Sequence, residues 1–160
     1  MITVARLTVA PDAAEPVSVD ALMAFGRITD NDERPVVAAV IAAAREETER
    51  LTGRILLPGT FAVETDKPVS RVTFPIAPVV AVDGIAWVEI DQPLPVPAPA
   101  LLRLEVAAGY PTPEAIPEGI RHFVQTLALL RYAHRDDPAA LEAAQAFAAT
   151  GVAAFGVVQV

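Results

Sequence analysis

Residues 36–61, VVAAVIAAAREETERLTGRILLPGTF, constrain the fold most, because a helix with one oily face, a glycine stop and the entry to a strand follow one another there. Val37, Val40, Ile41, Ala44 and Leu51, with Thr48 between, recur at three- and four-residue spacing and mark the buried face. Arg45, Glu46, Glu49 and Arg50 read as the face turned away. Pro35 suits a first helical turn, where a missing amide costs nothing, and Gly53 follows the last periodic residue as a cap. Asp30, Asp32 and Glu33 sit at the positive end of the helix dipole and Arg45, Arg50 and Arg54 toward its negative end, so both ends are matched in charge. The predicted helix runs to Thr52, and its residues describe a scaffold rather than an active site.

At 160 residues the chain can bury roughly two-thirds of its unfolded surface, enough for one domain to fold without staples. It has no cysteine, which removes disulfides, thiolate metal sites and cysteine nucleophiles. The first residues, MITVARLTVAPDAAEP, contain no apolar stretch of signal-core length, and no run reaches the ~18 apolar residues of a membrane span. A soluble, unexported chain made in the cytoplasm is expected. The formal charge of −8, with scattered basic residues, argues against holding a nucleic-acid backbone. A mean hydropathy of +0.42 without a membrane span points instead to apolar surface that meets other protein chains, unless alanine alone inflates the index.

Ser18 can cap a first helix over 19–28, with Leu22 and Phe25 on its buried side, and 29–34 is a tight acidic link. From Phe61 the period changes to alternation. Phe61, Val63 and Thr65, then Val72 and Phe74, then Leu102, Leu104 and Val106 read as inward positions of half-buried strands. Residues 79–90, containing Trp87, are a longer β-rich run that Asp83-Gly84 interrupts as either a hairpin turn or a bulge. QPLPVPAPA, 92–100, is read as a polyproline-like loop at the sheet edge, because proline has no amide to donate. A third helix from Pro117 to about Arg135 turns Ile120, Phe123, Val124, Leu127 and Leu130 inward. Asp136-Asp137-Pro138 starts a fourth, ending at Gly151. The fold class is therefore α+β, mainly helical: about four helices, with a small antiparallel β element inserted between the second and third. One domain is expected over 1–151. An apolar tail, 152–160, follows as a docking segment through Phe147, Val152, Phe155, Val157, Val158 and Val160, with a fold-back onto the sheet edge as the alternative.

Little chemistry is visible. His122 and His134 are about 18 Å apart along one helix and cannot share a metal. Asp30-Asn31-Asp32-Glu33 starts like a calcium loop but meets Pro35 and Ile41 where glycine and a bidentate acid are needed. No phosphate-binding glycine loop, nucleophile elbow or serine triad can be assembled. Glu46-Glu47 and Asp136-Asp137 are helix neighbours about 100° apart, which is no acid/base dyad. No enzyme activity, metal or cofactor is expected.

PVSVDALMAFGRI, the DNDE link, AAAREETERLTGRILLPGTF, FPIAPVVAVDGIAWVEID, RLEVAAGYP and IPEGIRHFVQTLALLRYAHRDD, in this order over 15–137, resemble the head-tail connector (adaptor) proteins of tailed bacteriophages and phage-like gene transfer agents. Gly26 stands where that family usually has leucine, Pro35 stands at a usually apolar position, and beyond Asp137 the resemblance fades. It implies a virion protein at the head-tail junction. Twelve copies would form a ring beneath the portal protein, prolong the DNA channel without binding DNA specifically, and face a tail-side connector or stopper protein. Arg45, Glu46, Glu49 and Arg50 are the candidate inter-subunit contacts. Two alternatives stand beside this reading: a small enzyme or ligand-binding domain using Arg121, His122 or Tyr110, and a regulatory interaction module.

Overall fold

The structure, a computed structural model, describes residues 2–83, 85–86 and 94–152. Along the chain lie β1 (Ile2–Val9), α1 (Val19–Gly26), a 3-10 turn (Asn31–Glu33), α2 (Arg34–Thr52), β2 (Gly59–Thr65), β3 (Val69–Val72), β4 (Val79–Val82), β5 (Ile85–Ala86), β6 (Leu94–Ala100), β7 (Arg103–Ala108), a second 3-10 turn (Pro113–Ala115), α3 (Glu118–Ala133) and α4 (Pro138–Val152). The fold is mixed α+β. Two compact units divide it: residues up to 13 with Gly53–Pro111 carry the strands, and Ala14–Thr52 with the stretch from Thr112 carries the helices.

In the strand unit β1, β2, β7, β4 and β5 form one antiparallel sheet in that order, and β3 pairs with β6. The alternation foreseen in the sequence sets which face is inside. Phe61 lies opposite Val106, and Val63 opposite Leu104. Phe61, Val63 and Val106 join Val72, Phe74, Val79, Val82 and Ala108 in one core, with Leu102 and Leu104 packed at its margin. Burial of each large apolar side chain contributes about 1.5–3 kcal/mol, so this face holds the register against a one-residue slip.

Two expectations change, and one open choice closes. The sheet is not simply an insert between the second and third helices, because the opening residues form its edge strand β1, paired along β2 from Ile2↔Thr65 to Val9↔Gly59. Ile2 and Val4 pack on the core, which gives this stretch a reason to pair rather than merely extend. Residues of the proline-rich segment form β6 instead of a loop, with Val69↔Ala100 and Val72↔Leu94 in register. In a two-stranded pair each strand is an edge, so prolines that cannot donate are tolerated there. The interruption at Asp83 is a hairpin turn: Val82 pairs with Ile85, and Asp83 takes a left-handed φ of 48°. Trp87 lies outside the described residues.

In the helical unit Ser18 caps α1, its hydroxyl oxygen accepting the Ala21 amide at 3.1 Å. The helix stops at Gly26, before the expected Ile28, with Arg27 left-handed after it. Leu22 is buried as expected, but Phe25 is 47% exposed and Met23 takes the second inward place. Gly53, at φ 68°, ends α2 as read. Ile120, Val124 and Leu127 of α3 are fully buried with Ala128, whereas Phe123 and Leu130 are only half-buried. Asp137 caps α4 by accepting the amides of Ala139 and Ala140 at 3.1 Å, and the helix runs past Gly151 to Val152.

Two glycines should respond differently to alanine. Gly109 has φ 114°, and an added Cβ would lie 2.6 Å from the Leu57 carbonyl oxygen and 2.7 Å from Pro58 Cα, both backbone atoms that cannot step aside. Gly109→Ala should cost roughly 1–3 kcal/mol or more in urea unfolding. At Gly26 a Cβ meets side-chain atoms instead, nearest the Leu129 Cδ1 methyl at 2.7 Å, then Ile28 Cδ1 at 3.3 Å. Both side chains can shift, and alanine adds helix propensity, so Gly26→Ala should stay within about 1 kcal/mol of the parent.

Candidate functional site

The helix singled out in the sequence carries the densest charge network. Its buried face comprises Val37, Ile41, Ala44, Arg45, Thr48 and Thr52. Arg45 is thus turned inward, with its side chain only 8% exposed, and so is Glu49 at 9%. This corrects the outward placement of both. Arg45 follows the buried Ile41 by four residues and so belongs on the same stripe, a signal the charge of the side chain overrode.

Three carboxylates hold the guanidinium. Nε donates to Glu15 at 3.0 Å, Nη1 to Glu49 at 3.2 Å and Nη2 to Glu46 at 3.3 Å. Burial penalises the cation, but the fields of Glu15, Glu49 and Glu46 outweigh that penalty and raise its pKa above the ordinary arginine value. Glu15 comes from the segment ahead of α1, 30 residues earlier in the chain, so no local spacing could have found it. The network ties that segment to α2. Only Glu46 and Arg50 of the four sequence candidates reach solvent, at 69% and 67% exposure. Arg50 lies along Glu47, to which it donates at 2.6 and 2.9 Å, and this hydrogen bond lowers the Glu47 pKa.

The other acids also have structural partners. Asp30 accepts the Asp32 amide at 2.9 Å and starts the 3-10 turn, and Glu33 pairs with Arg135 at 3.3 Å. His122 is exposed and meets the Phe25 ring edge-on at 6.2 Å, while His134 follows the last turn of α3. Among the described residues no three histidine, cysteine, aspartate or glutamate side chains gather as a metal-holding group. No helix among them is long and apolar enough to cross a membrane.

A cleft of about 440 Å³ lies in the helical unit between residues 14–18 and the start of α3. Arg121, His122 and Gln125 line it with Glu15, Glu114 and Glu118. It brings together Arg121 and His122, but not Tyr110, whose hydroxyl accepts from Arg54 at 3.2 Å within the strand unit. Arg121 Nε is buried without a hydrogen-bond partner. The side chain of Phe147 and residues 153–160 lie outside what the structure describes, as does the side chain of Val152, so the tail residues Phe155, Val157, Val158 and Val160 have no geometry here.

The two arginines of α2 separate in a mutational test. Arg45→Glu places a fourth carboxylate among Glu15, Glu46 and Glu49, and should destabilise the fold by roughly 3 kcal/mol or more; Arg50→Glu should leave it folded. Acid titration of Arg50→Ala checks the smaller pair. Since the folded Glu47 pKa is depressed, the pair stabilises fully above the unfolded carboxylate value and this is lost as pH falls through the folded one. Parent and variant should therefore differ most above about pH 5 and converge in acid, as read by unfolding midpoints.

No protein-family model matches the chain, and no curated protein sequence matches it. Three solved structures share its fold. One, described as the virion of a native gene transfer agent particle, superposes with a TM-score of 0.66 at 18% identity, covering 98% of this chain and 96% of that one. A second, the neck of an empty gene transfer agent particle computed with C6 symmetry, gives 0.61 at 17% identity over 99% and 97%. A third, the neck of a native particle computed with C12 symmetry, gives 0.50 at 18% identity over 99% and 97%. The likeness extends over both chains almost end to end.

Proposed function

We propose that this protein is a structural component of a tailed-phage-like particle or gene transfer agent, and within it the head-tail connector that forms a ring below the portal protein. The observation that carries the reading is end-to-end similarity of fold to chains of gene transfer agent neck and virion structures, two of them determined with cyclic symmetry. The ordered motifs over 15–137 point to the same family independently. Such a subunit needs faces rather than catalysis. Arg45 and Glu49 of α2 already serve internal bonds, and Asp137 caps α4.

In this reading twelve copies close a ring that extends the DNA channel, and a chain of net charge −8 lets DNA slide without counterion-releasing contacts. Glu46 and Arg50 are the parts of the α2 network that remain available to a neighbouring subunit. The apolar tail 152–160 docks on the portal protein, and the opposite end of the ring meets the tail-side connector or stopper. A second reading rests on the cleft, which places Arg121 and His122 where a small polar ligand could enter.

Mass measurement decides between them. Light scattering of the purified chain, alone and mixed with the portal protein, should show a ring-sized species. Arg121→Ala with His122→Ala should leave its amount unchanged. A monomer under both conditions would sink the connector reading, and loss of assembly in the cleft double variant would move the function to the cleft.

A further inference from the structure

Charge is divided unevenly between the two units. The helical unit holds 13 acidic and seven basic residues and the strand unit seven and five, so the first carries −6 of the net −8 and the second −2. Two helical units face to face repel strongly, whereas a helical and a strand unit repel less and can attract where an unpaired cation meets an unpaired acid.

The strand unit has such cations at one place. Lys67 and Arg71 stand exposed on either side of the start of β3, four residues and so at most about 14 Å apart. Its other basic side chains are engaged. Arg103 pairs with Glu64 at 3.1 Å, Arg54 donates to the Tyr110 hydroxyl, and Arg6 lies over the Phe61 ring. Asp66, the acid beside Lys67, already has a partner of its own.

The complementary place is the cleft of the helical unit. Its walls include the apolar Pro16, Val17 and Pro113. The charged lining is Glu15, Glu114 and Glu118 against Arg121, so acids outnumber the one cation. Glu15 is held by Arg45, while Glu114 and Glu118, again four residues apart, are exposed. Apolar walls with carboxylates among them suit long cationic side chains, whose methylene stems cover the walls while the charged ends meet the acids. At about 440 Å³ the cleft has room for them.

We infer that the turn into β3 of one copy, led by Lys67 and Arg71, docks at the cleft of the next copy against Glu114 and Glu118. The two surfaces are different parts of the chain, so the contact is head-to-tail and repeats around a ring instead of closing a two-fold dimer. Ion pairs this exposed contribute little energy each. The contact therefore selects which faces meet, alongside other contacts that hold the ring, and salt weakens it. This inference rests on the ring reading proposed above.

Charge reversal tests it. Lys67→Glu with Arg71→Glu makes a chain acidic at both surfaces, and Glu114→Lys with Glu118→Lys makes one basic at both. Each variant alone should self-associate about tenfold or more weakly than the parent in light scattering, because like charges then meet. Mixed in equal amounts the two should assemble again, since each reversed surface fits the other, and an alternating ring of twelve closes on an even count. All four side chains are exposed, so both variants should keep the parent circular dichroism spectrum. Arg121→Ala removes the cation that opposes the incoming pair and should assemble at least as well as the parent. Rings of either reversed variant alone at the parent level, no recovery in the mixture, or weaker assembly of Arg121→Ala would each overturn this contact while parent rings keep the ring reading. A parent chain that stays monomeric, alone and with the portal protein, would sink both.

Discussion

Strand β2 can bury only one of its faces, and the rest of the strand unit follows from that. With Phe61 and Val63 inward, both neighbours must present matching side chains at the same depth: Val4 and Arg6 from β1, Leu104 and Val106 from β7. Arg6 answers by laying its guanidinium over the Phe61 ring, 5.1 Å from the centroid, so even a cation serves the apolar side. The parity of β4 does not match this register by itself. The bulge at Val80 restores it, keeping Val79 and Val82 inside and turning an aliphatic side chain to solvent.

In the helical unit a charged group takes the central place. Arg45 sits on the apolar stripe of α2, where an unpaired guanidinium would be untenable, and three carboxylates from two segments make the position workable. The group is specific in what it joins: only the segment bearing Glu15 supplies an acid from outside the helix. A contact surface needs side chains free to meet a partner, and this network uses two of the four charges in holding its own unit together. The same division appears at Asp30 and Asp137, whose carboxylates accept backbone amides at the starts of a turn and a helix.

What remains outward includes large apolar side chains, Leu7, Phe25, Val80 and Leu101 among them, beside solvated charges such as Glu46 and Arg50. Identity of 17–18% to the gene transfer agent chains, with both chains covered almost fully, is understandable. Alternation in strands and a three-and-four stripe in helices can be met by many side chains, so a fold persists while residues drift.

Much of the fold was legible along the chain, because it is local. The α2 stripe, its Gly53 stop, the Ser18 cap, and the inward sets Phe61-Val63-Thr65 and Ile120-Val124-Leu127 are set by period and capping chemistry within a few residues. The strand character of residues 2–9 and 94–100 was not legible, since each becomes a strand only when a distant partner supplies the ladder: β2 for the first, β3 for the second. Phe25 and Arg45 were misplaced for a related reason. Burial depends on what lies across from a side chain, and Glu15, 30 residues away, is what lets an arginine go in. Composition and period determined which segments could be helix or strand. The tertiary structure alone decided which charges are internal and which apolar residues face out, because both depend on long-range pairing that no window of sequence contains.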